Sequence, residues 1–211
     1  RSNFNNQIVY NWGWGGGHSI NAHKLLNNPV FIPETTVRGT MQKHGNVLPE
    51  HSEDFEDLSS EYVIGKNNGF KGRGKLVFPR LDPPSNAWDF QVYQEFISPP
   101  RIEYRIFTCG EDIIISYRKE IPDPFNPQTD KIFHCCDGRS FGLKTKKAEP
   151  PVPWIALEVA YTVMQQTNLD VLGLDVIVKD GKAYLIEINS APGIGPTTAK
   201  TFMESIQRQW G

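Results

Sequence analysis

The sequence predicts an α+β protein, and three stretches carry that prediction. "GLDVIVKDGKAYLIEIN", Gly173 to Asn189, places apolar runs on both sides of an Asp180-Gly181 pair, the mark of a tight β-hairpin. "EYRIFTCGEDIIISYRKEI" reads as two strands rich in Ile, Phe and Tyr around a Cys-Gly-Glu turn. "WIALEVAYTVMQQ", Trp154 to Gln166, sets Ile155, Val159, Val163 and Gln166 at helical spacing behind Pro153, which suits a helix start.

The remaining elements follow in chain order. "IVYNW", Ile8 to Trp12, is a short strand entering the glycine cluster "GWGGGHS", after which Ser19 caps a helix through "INAHKLLNN". "NPVFIPETTV" is expected as a strand entered through a turn, with Pro33 fixing extended geometry, and residues 38–60 as a polar helix–loop region. Tyr62 to Lys66 and Lys75 to Phe78 are two arms of a glycine-rich hairpin, and "DFQVYQEFI" is a strand stopped by Pro99 and Pro100. "PDPFNPQTD" is a proline-rich loop, and "TTAKTFMESIQRQW" closes the chain as an amphipathic helix. There is no internal repeat and no low-complexity segment.

With 211 residues, 38% hydrophobic and 22% charged, the chain is long enough to bury a sizeable core as one unit or two small lobes. A formal charge of −2 argues against a dedicated nucleic-acid binder, which carries a basic stripe. No run of about 18 apolar residues suggests a membrane span, and no secretory-type start is seen. Three cysteines, Cys109 and the vicinal Cys135 and Cys136, read as free thiols in a reducing, cytoplasmic setting.

Several motifs bear on chemistry. "GWGGGH" fails as a dinucleotide fingerprint because His18 stands at the third required glycine, and no Gly-Lys-Ser/Thr P-loop occurs. "HCCDG" suits zinc poorly, since adjacent cysteines lack the ligand spacing and no second Cys/His pair follows. "CDGR" lacks the nucleophilic lysine of polynucleotide ligases, having Cys135 there.

Two segments are stronger. In "GKNNGFKGRGK", a loop with Gly69, Gly72 and Gly74 can offer backbone N–H groups to a polyphosphate, with Lys66, Lys71 and Arg73 supplying charge. In the Gly173–Asn189 hairpin, Asp175 and Glu187 are carboxylates set among Val, Ile and Leu, costly to bury without compensation. The hairpin brings them together, and Asn189, two residues after Glu187, projects from the same face. Two carboxylates and an amide oxygen make a hard-oxygen site suited to Mg²⁺ with phosphates.

Taken together, the pieces resemble the ATP-grasp superfamily of carboxylate–amine or carboxylate–thiol ligases. "LDVLGLDVIVKDGKAYLIEINSAPG" is similar to the family's "GxD…EiNxxPG" signature, and "EYVIGKNNGFKGRG" to the strand, lysine and glycine-rich loop of its lid lobe. "QVYQEFI" is similar to the hinge strand that holds adenine, and "NPVFIPETT" to the entry into the lid. The matches run in the family's order over most of the chain, from about Ser19 onward.

The resemblance implies an ATP-grasp fold of two α+β lobes clamping ATP between antiparallel sheets. It implies a remnant N-terminal strand and helix over 1–33, a small lid lobe over 34–97, and a larger lobe with the metal site over 98–211. Asp175, Glu187 and Asn189 would ligate Mg²⁺, with two ions and Glu187 bridging them. Lys66 would contact the phosphates, Gly69, Gly72 and Gly74 would fold over them, and Lys24 would be a second phosphate or adenine-side lysine. Gln94, Glu95, Phe96 and Ile97 would read adenine, mainly through backbone atoms, and Glu103 is the candidate ribose acid. Arg105 and Arg118 would sit at the γ-phosphate or acyl phosphate.

The implied activity is ATP-dependent formation of an acyl phosphate from a carboxylate, then transfer to an amine. ATP and a small-molecule, peptide or protein carboxylate and amine are the implied partners, in a chain that could form a homo-oligomer. Gly173, two before Asp175, stands where some branches have Arg, which favours the branch resembling peptide-tail amino-acid ligases. A kinase or phosphotransferase on the same nucleotide site, and a non-catalytic nucleotide-binding assembly protein, are the alternatives.

Overall fold

The computed structural model describes residues 2–11, 20–67, 75–121, 146–147, 151–193 and 195–211. The chain starts with two strands, β1 (Ser2–Tyr10) and β2 (Ile20–Leu26), paired in parallel. This corrects the helix expected over "INAHKLLNN". The spacing of Leu25 and Leu26 behind Lys24 fits either periodicity, and the ladder to β1 decides it. Leu26 at the strand's end is fully buried against Phe107, Cys109, Val171 and Phe202.

The segment expected as a strand through Pro33 is a 3-10 helix, Pro29–Thr35, followed by α1 (Val37–His44). Two caps set this outcome: the Asn28 side chain accepts from Val30 N–H at 3.1 Å, and Thr36 Oγ1 accepts from Gly39 N–H at 3.1 Å. The φ that proline fixes serves a helical turn as well as a strand.

Two antiparallel sheets follow. The smaller contains β3 (His51–Ser52), β4 (Tyr62–Lys66), β5 (Lys75–Pro79) and β6 (Val92–Glu95), in the order β3-β6-β4-β5. One face, through Val63, Phe78 and Tyr93, closes over Phe55, whose ring meets Phe78 edge-on at 5.4 Å. The alternate residues Ile64, Lys66, Lys75 and Val77 take the opposite face.

The larger sheet contains β7 (Arg101–Cys109), β8 (Asp112–Ile121), β9 (Lys146–Lys147), β10 (Val171–Lys179) and β11 (Lys182–Asn189), in the order β11-β10-β7-β8-β9. The β10–β11 turn has Asp180 at φ 49° and Gly181 at φ 74°, the geometry that an Asp-Gly pair supplies. Helix α2 (Trp154–Gln166) covers one face, burying Ala156, Val159, Ala160 and Val163 against Tyr104, Ile106, Leu174 and Val176. Phe31, Ile32, Val47 and Leu48 pack against the same core, so the segment before His51 shares its packing with the larger sheet.

Helix α3 (Pro196–Trp210) sets Phe202 on Phe107 and anchors its Arg208 and Gln209 on Asp112. Among the described residues no helix is long and apolar enough to cross a membrane.

Candidate functional site

The faces left free of these cores meet in a cleft between the two sheets. On the larger sheet, Arg101, Glu103 and Arg105 alternate along β7 and share a face, because Ile102 and Tyr104 between them pack in the α2 core. Asp175 stands opposite Arg105 on one side and opposite Glu187 on the other. Lys66 and Lys75 face each other across β4 and β5.

These charges are closely paired. Arg105 donates to Asp175 through Nε at 2.6 Å and through Nη2, a two-pronged grip on one carboxylate. Lys75 Nζ bridges to Glu187 at 2.6 Å, and Arg101 bridges to Glu103 at 2.7 Å. Lys66 is 5% exposed and donates to the Gln94 side chain and, at 3.1 Å, to the carbonyl of Ile186. The second bond depends on a bulge. Asp175 pairs with Glu187 and Val176 with Leu185, so Ile186 is the extra residue whose carbonyl reaches Lys66.

Electrostatics follow from this packing. Burial, aided by the nearby Lys75 ammonium and opposed by Glu187, pulls the Lys66 amine down to about 7. Burial also pushes the Asp175 carboxyl up, and the Arg105 guanidinium opposes that push. Cys109 is buried at the end of β7, where burial raises its thiol to about 11, and it stays a packing residue.

Asp175, Glu187 and Asn189 are the oxygen donors here that could take a divalent cation. Asn189 Oδ1 already accepts from Ala191 N–H at 2.9 Å, which fixes its amide and leaves a further lone pair. Among the described residues no three His, Cys, Asp or Glu side chains form a metal cluster, so a cation would complete its shell from a ligand or water. The cavity between the sheets is lined by Ile64, Phe96, Ile97 and Ile177 at one end and by the lysines and acids at the other. It is narrow, about 60 Å³.

Not every expected residue joins this group. Gln94 lines the cavity with Glu95, Phe96 and Ile97, but two backbone N–H groups of that hinge are already used. Glu95 N–H donates to Glu50 O at 2.7 Å and Phe96 N–H to Tyr62 O at 3.1 Å. Arg118 pairs with Tyr104, whose side chain enters the α2 core, so the register puts Arg118 on the other face from Arg105. Lys24 bridges to Asp170 at 2.9 Å and lies over the Trp210 ring, without lining the cavity. Gly69, Gly72, Gly74, Cys135 and Cys136 lie outside the described residues.

Lys75 and Arg101 were missed from the sequence. "RIEYR" held a signal, since charges at alternate positions of a strand share a face. Lys75 opens the second arm of the expected hairpin, and no local pattern says that its ammonium reaches Glu187.

No family model matches the chain. Over 189 residues it is 23% identical to a probable alpha-L-glutamate ligase of Stenotrophomonas maltophilia (strain R551-3), covering 83% of this chain and 57% of that protein. The chain thus spans little more than half the length of the curated relatives it matches. In structure it is similar to the ATP-grasp ligase PsnB complexed with minimal precursor, Mg and ADP, at a TM-score of 0.57 and 13% identity, over 86% of this chain and 62% of that one. It is also similar to the macrocyclase MdnC bound with precursor peptide MdnA from Microcystis aeruginosa MRC, at a TM-score of 0.57 and 15% identity, over 86% and 64%. These likenesses establish the fold: two α+β lobes in the ATP-grasp arrangement.

Proposed function

We propose that this chain is the nucleotide-binding part of an ATP-dependent carboxylate–amine ligase, activating a carboxylate as an acyl phosphate and passing it to an amine. One observation carries the reading. Asp175 and Glu187 stand in register on the floor of a cleft whose opposite wall presents Lys66 and Lys75. Cations on one side and hard oxygen donors on the other suit a metal-bound polyphosphate. Two of the similar proteins are named as ligases, which supports it.

The residues fit the groups this reading requires. The apolar end, with Ile64, Phe96, Ile97 and Ile177, suits a planar base, and Glu103, half-sheltered and paired with Arg101, is placed for a ribose hydroxyl. Asp175, Glu187 and Asn189 would hold Mg²⁺ through oxygens. ATP would supply the phosphoryl group for the acyl phosphate, and Mg²⁺ would shield the phosphate charge.

The chain's own residues do the positioning. Lys66 and Lys75 would take phosphate oxygens, and Lys75 would exchange Glu187 for such a partner. Arg105 holds the Asp175 carboxylate in one orientation from the neighbouring strand, a supporting role rather than the phosphate contact expected from sequence. The smaller sheet would close over the nucleotide and keep water from an acyl phosphate.

Thermal unfolding with Mg·ATP tests the reading. A ligand at a hundred times its Kd stabilises by about 2.7 kcal/mol. That gain should appear for the wild-type chain and vanish in Glu187→Gln, which keeps its circular dichroism. Equal stabilisation of both proteins would sink the proposal. Trapping with hydroxylamine in the presence of a carboxylate panel then separates a ligase, which yields hydroxamate, from a phosphotransferase.

A further inference from the structure

A second cavity, about 330 Å³, adjoins the first and shares Lys66, Lys75, Gln94, Ile186 and Glu187 with it. Those five residues form a common wall at the charged end of the cleft. The other walls come from the 3-10 turn before α1, from α1 itself, and from β3. Whatever occupies the second cavity reaches the same lysines and the same carboxylate as the nucleotide, from the other side.

The chemistry of those outer walls is specific. Ile32, Val37, Met41, Leu48 and Ile188 make them largely apolar, and among the described residues no acidic, lysine or arginine side chain lines them outside the common wall. The threonine hydroxyls have given up their hydrogens. Thr35 Oγ1 donates to Ile32 O at 2.9 Å, Thr36 Oγ1 to Pro33 O at 2.8 Å, and Thr40 Oγ1 to Glu34 O at 3.3 Å. Asn67 commits one amide N–H to Asp89 O and accepts at its oxygen from Gln91 N–H, both at 2.9 Å.

His51 completes the pattern. Its Nδ1 lies 2.9 Å from Pro49 O, and a carbonyl can only accept, so Nδ1 carries the hydrogen and Nε2 of the neutral ring is a lone-pair acceptor. His51 is paired in register with Gln94, so its ring shares the cleft face. The cavity therefore offers methyl groups and lone pairs, which suits a hydrogen-bond donor on an apolar body. Desolvation between these largely apolar walls disfavours an ammonium and so favours the unprotonated, nucleophilic amine.

We infer that the second cavity seats the amine acceptor, an uncharged amine with an apolar body, and that His51 Nε2 accepts a hydrogen bond from its N–H. This rests on the ligase reading above and adds to it the acceptor's class and place. An anionic acceptor such as glutamate fits poorly, because the threonine and histidine lone pairs would face its carboxylates.

The test is NMR of the His51 ring signals, assigned with His51→Gln, during titration of the full chain with leucinamide at pH 8.5 in the presence and absence of Mg·ATP. Leucinamide should shift these signals saturably, and both Met41→Phe and Val37→Phe should weaken its binding at least tenfold while Mg·ATP binding is kept. 3-Methylbutanoate, which carries the same isobutyl body on a carboxylate, and glutamate should shift them little. A stronger response to either carboxylate overturns the inference, as does no response to leucinamide. Loss of Mg·ATP binding in both cavity-filling variants, with circular dichroism unchanged, overturns it too, by giving the cavity to the nucleotide. Failure of the ligase reading shows separately, as Mg·ATP binding that survives Glu187→Gln.

Discussion

Arg105 and Asp175 stand directly opposite each other on β7 and β10, and the guanidinium holds both carboxylate oxygens. With Arg105 7% and Asp175 20% exposed, the pair is largely withdrawn from water. Removing only the cation leaves a buried carboxylate unmatched. Arg105→Ala should therefore cost about 3 kcal/mol in urea unfolding at pH 7, and Arg105→Met with Asp175→Leu should recover much of it. A single variant as stable as wild type would mean that the pair is solvated in solution.

Lys66 gives a proton-linked signature. Its amine titrates near 7 in the free protein and at 10.5 when exposed, so between these values the folded chain holds it neutral while the unfolded chain holds it charged. Its burial thus opposes folding in full below about pH 7, and that opposition fades as pH rises towards 10.5. Phosphate oxygens arriving beside it would restore the charge. Mg·ATP binding at pH 8 should then take up a proton, seen as a calorimetric enthalpy that changes with buffer ionisation heat and becomes buffer-independent in Lys66→Met. A buffer-independent enthalpy in the wild type would contradict this.

Gly173 pairs with Asn189, and a Cβ added there would stand 2.8 Å from Pro192 Cβ. Glycine is required because the turn after Asn189 folds back over the strand. Gly173→Ala should cost about 1–3 kcal/mol by overpacking and should weaken Mg²⁺ dependence by displacing Asn189. Gly193→Ala, where nothing lies within 4 Å, is the matched control and should be near neutral. Similar stabilities for the two would remove the packing argument.

Asn27, fully buried at φ 53°, imitates a strand partner. Its Oδ1 accepts from Val171 N–H at 2.8 Å, and its Nδ2 donates to Val171 O at 2.7 Å and to Ser190 O at 2.9 Å. Tyr10 Oη donates to the same Ser190 carbonyl at 3.0 Å, so β1 and β2 together pin the residue after Asn189. Asn27→Ala should cost about 3 kcal/mol by leaving buried groups unpaired. Hydrogen exchange at Val171 should accelerate in that variant, and unchanged protection there would count against the pinning.

Legibility in the sequence followed the range of the forces involved. The Gly173–Asn189 hairpin and the helix at Trp154–Gln166 were readable because turn chemistry and periodicity are local, whereas the pairing of Asp175 with Glu187 depends on the bulge at Ile186. The β2 strand was not, since its ladder partner lies across a glycine-rich segment and "KLL" suits a helix as well. Arg105 was expected at the transferred phosphate, whereas its hold on Asp175 depends on a strand pairing across 70 residues, which no local pattern announces. Arg118, one of the same charged series, is displaced to the other face by the alternation of β8 against β7. Glu187 was legible as an acid among apolar neighbours, while Lys75, which faces it, became visible only once the two sheets were stacked.

The contacts of Lys75 with Glu187 and of Lys66 with Ile186 run from one sheet to the other. Without ligand they act as an internal latch, drawing together walls that leave too little room for a nucleotide. A polyphosphate would compete for both lysines and so would open the space it needs by taking over the fastenings. Salt should do part of the same work. At about 1 M, where screening acts within about 3 Å, the half-exposed Glu187 end should loosen first and the buried Lys66 end should hold.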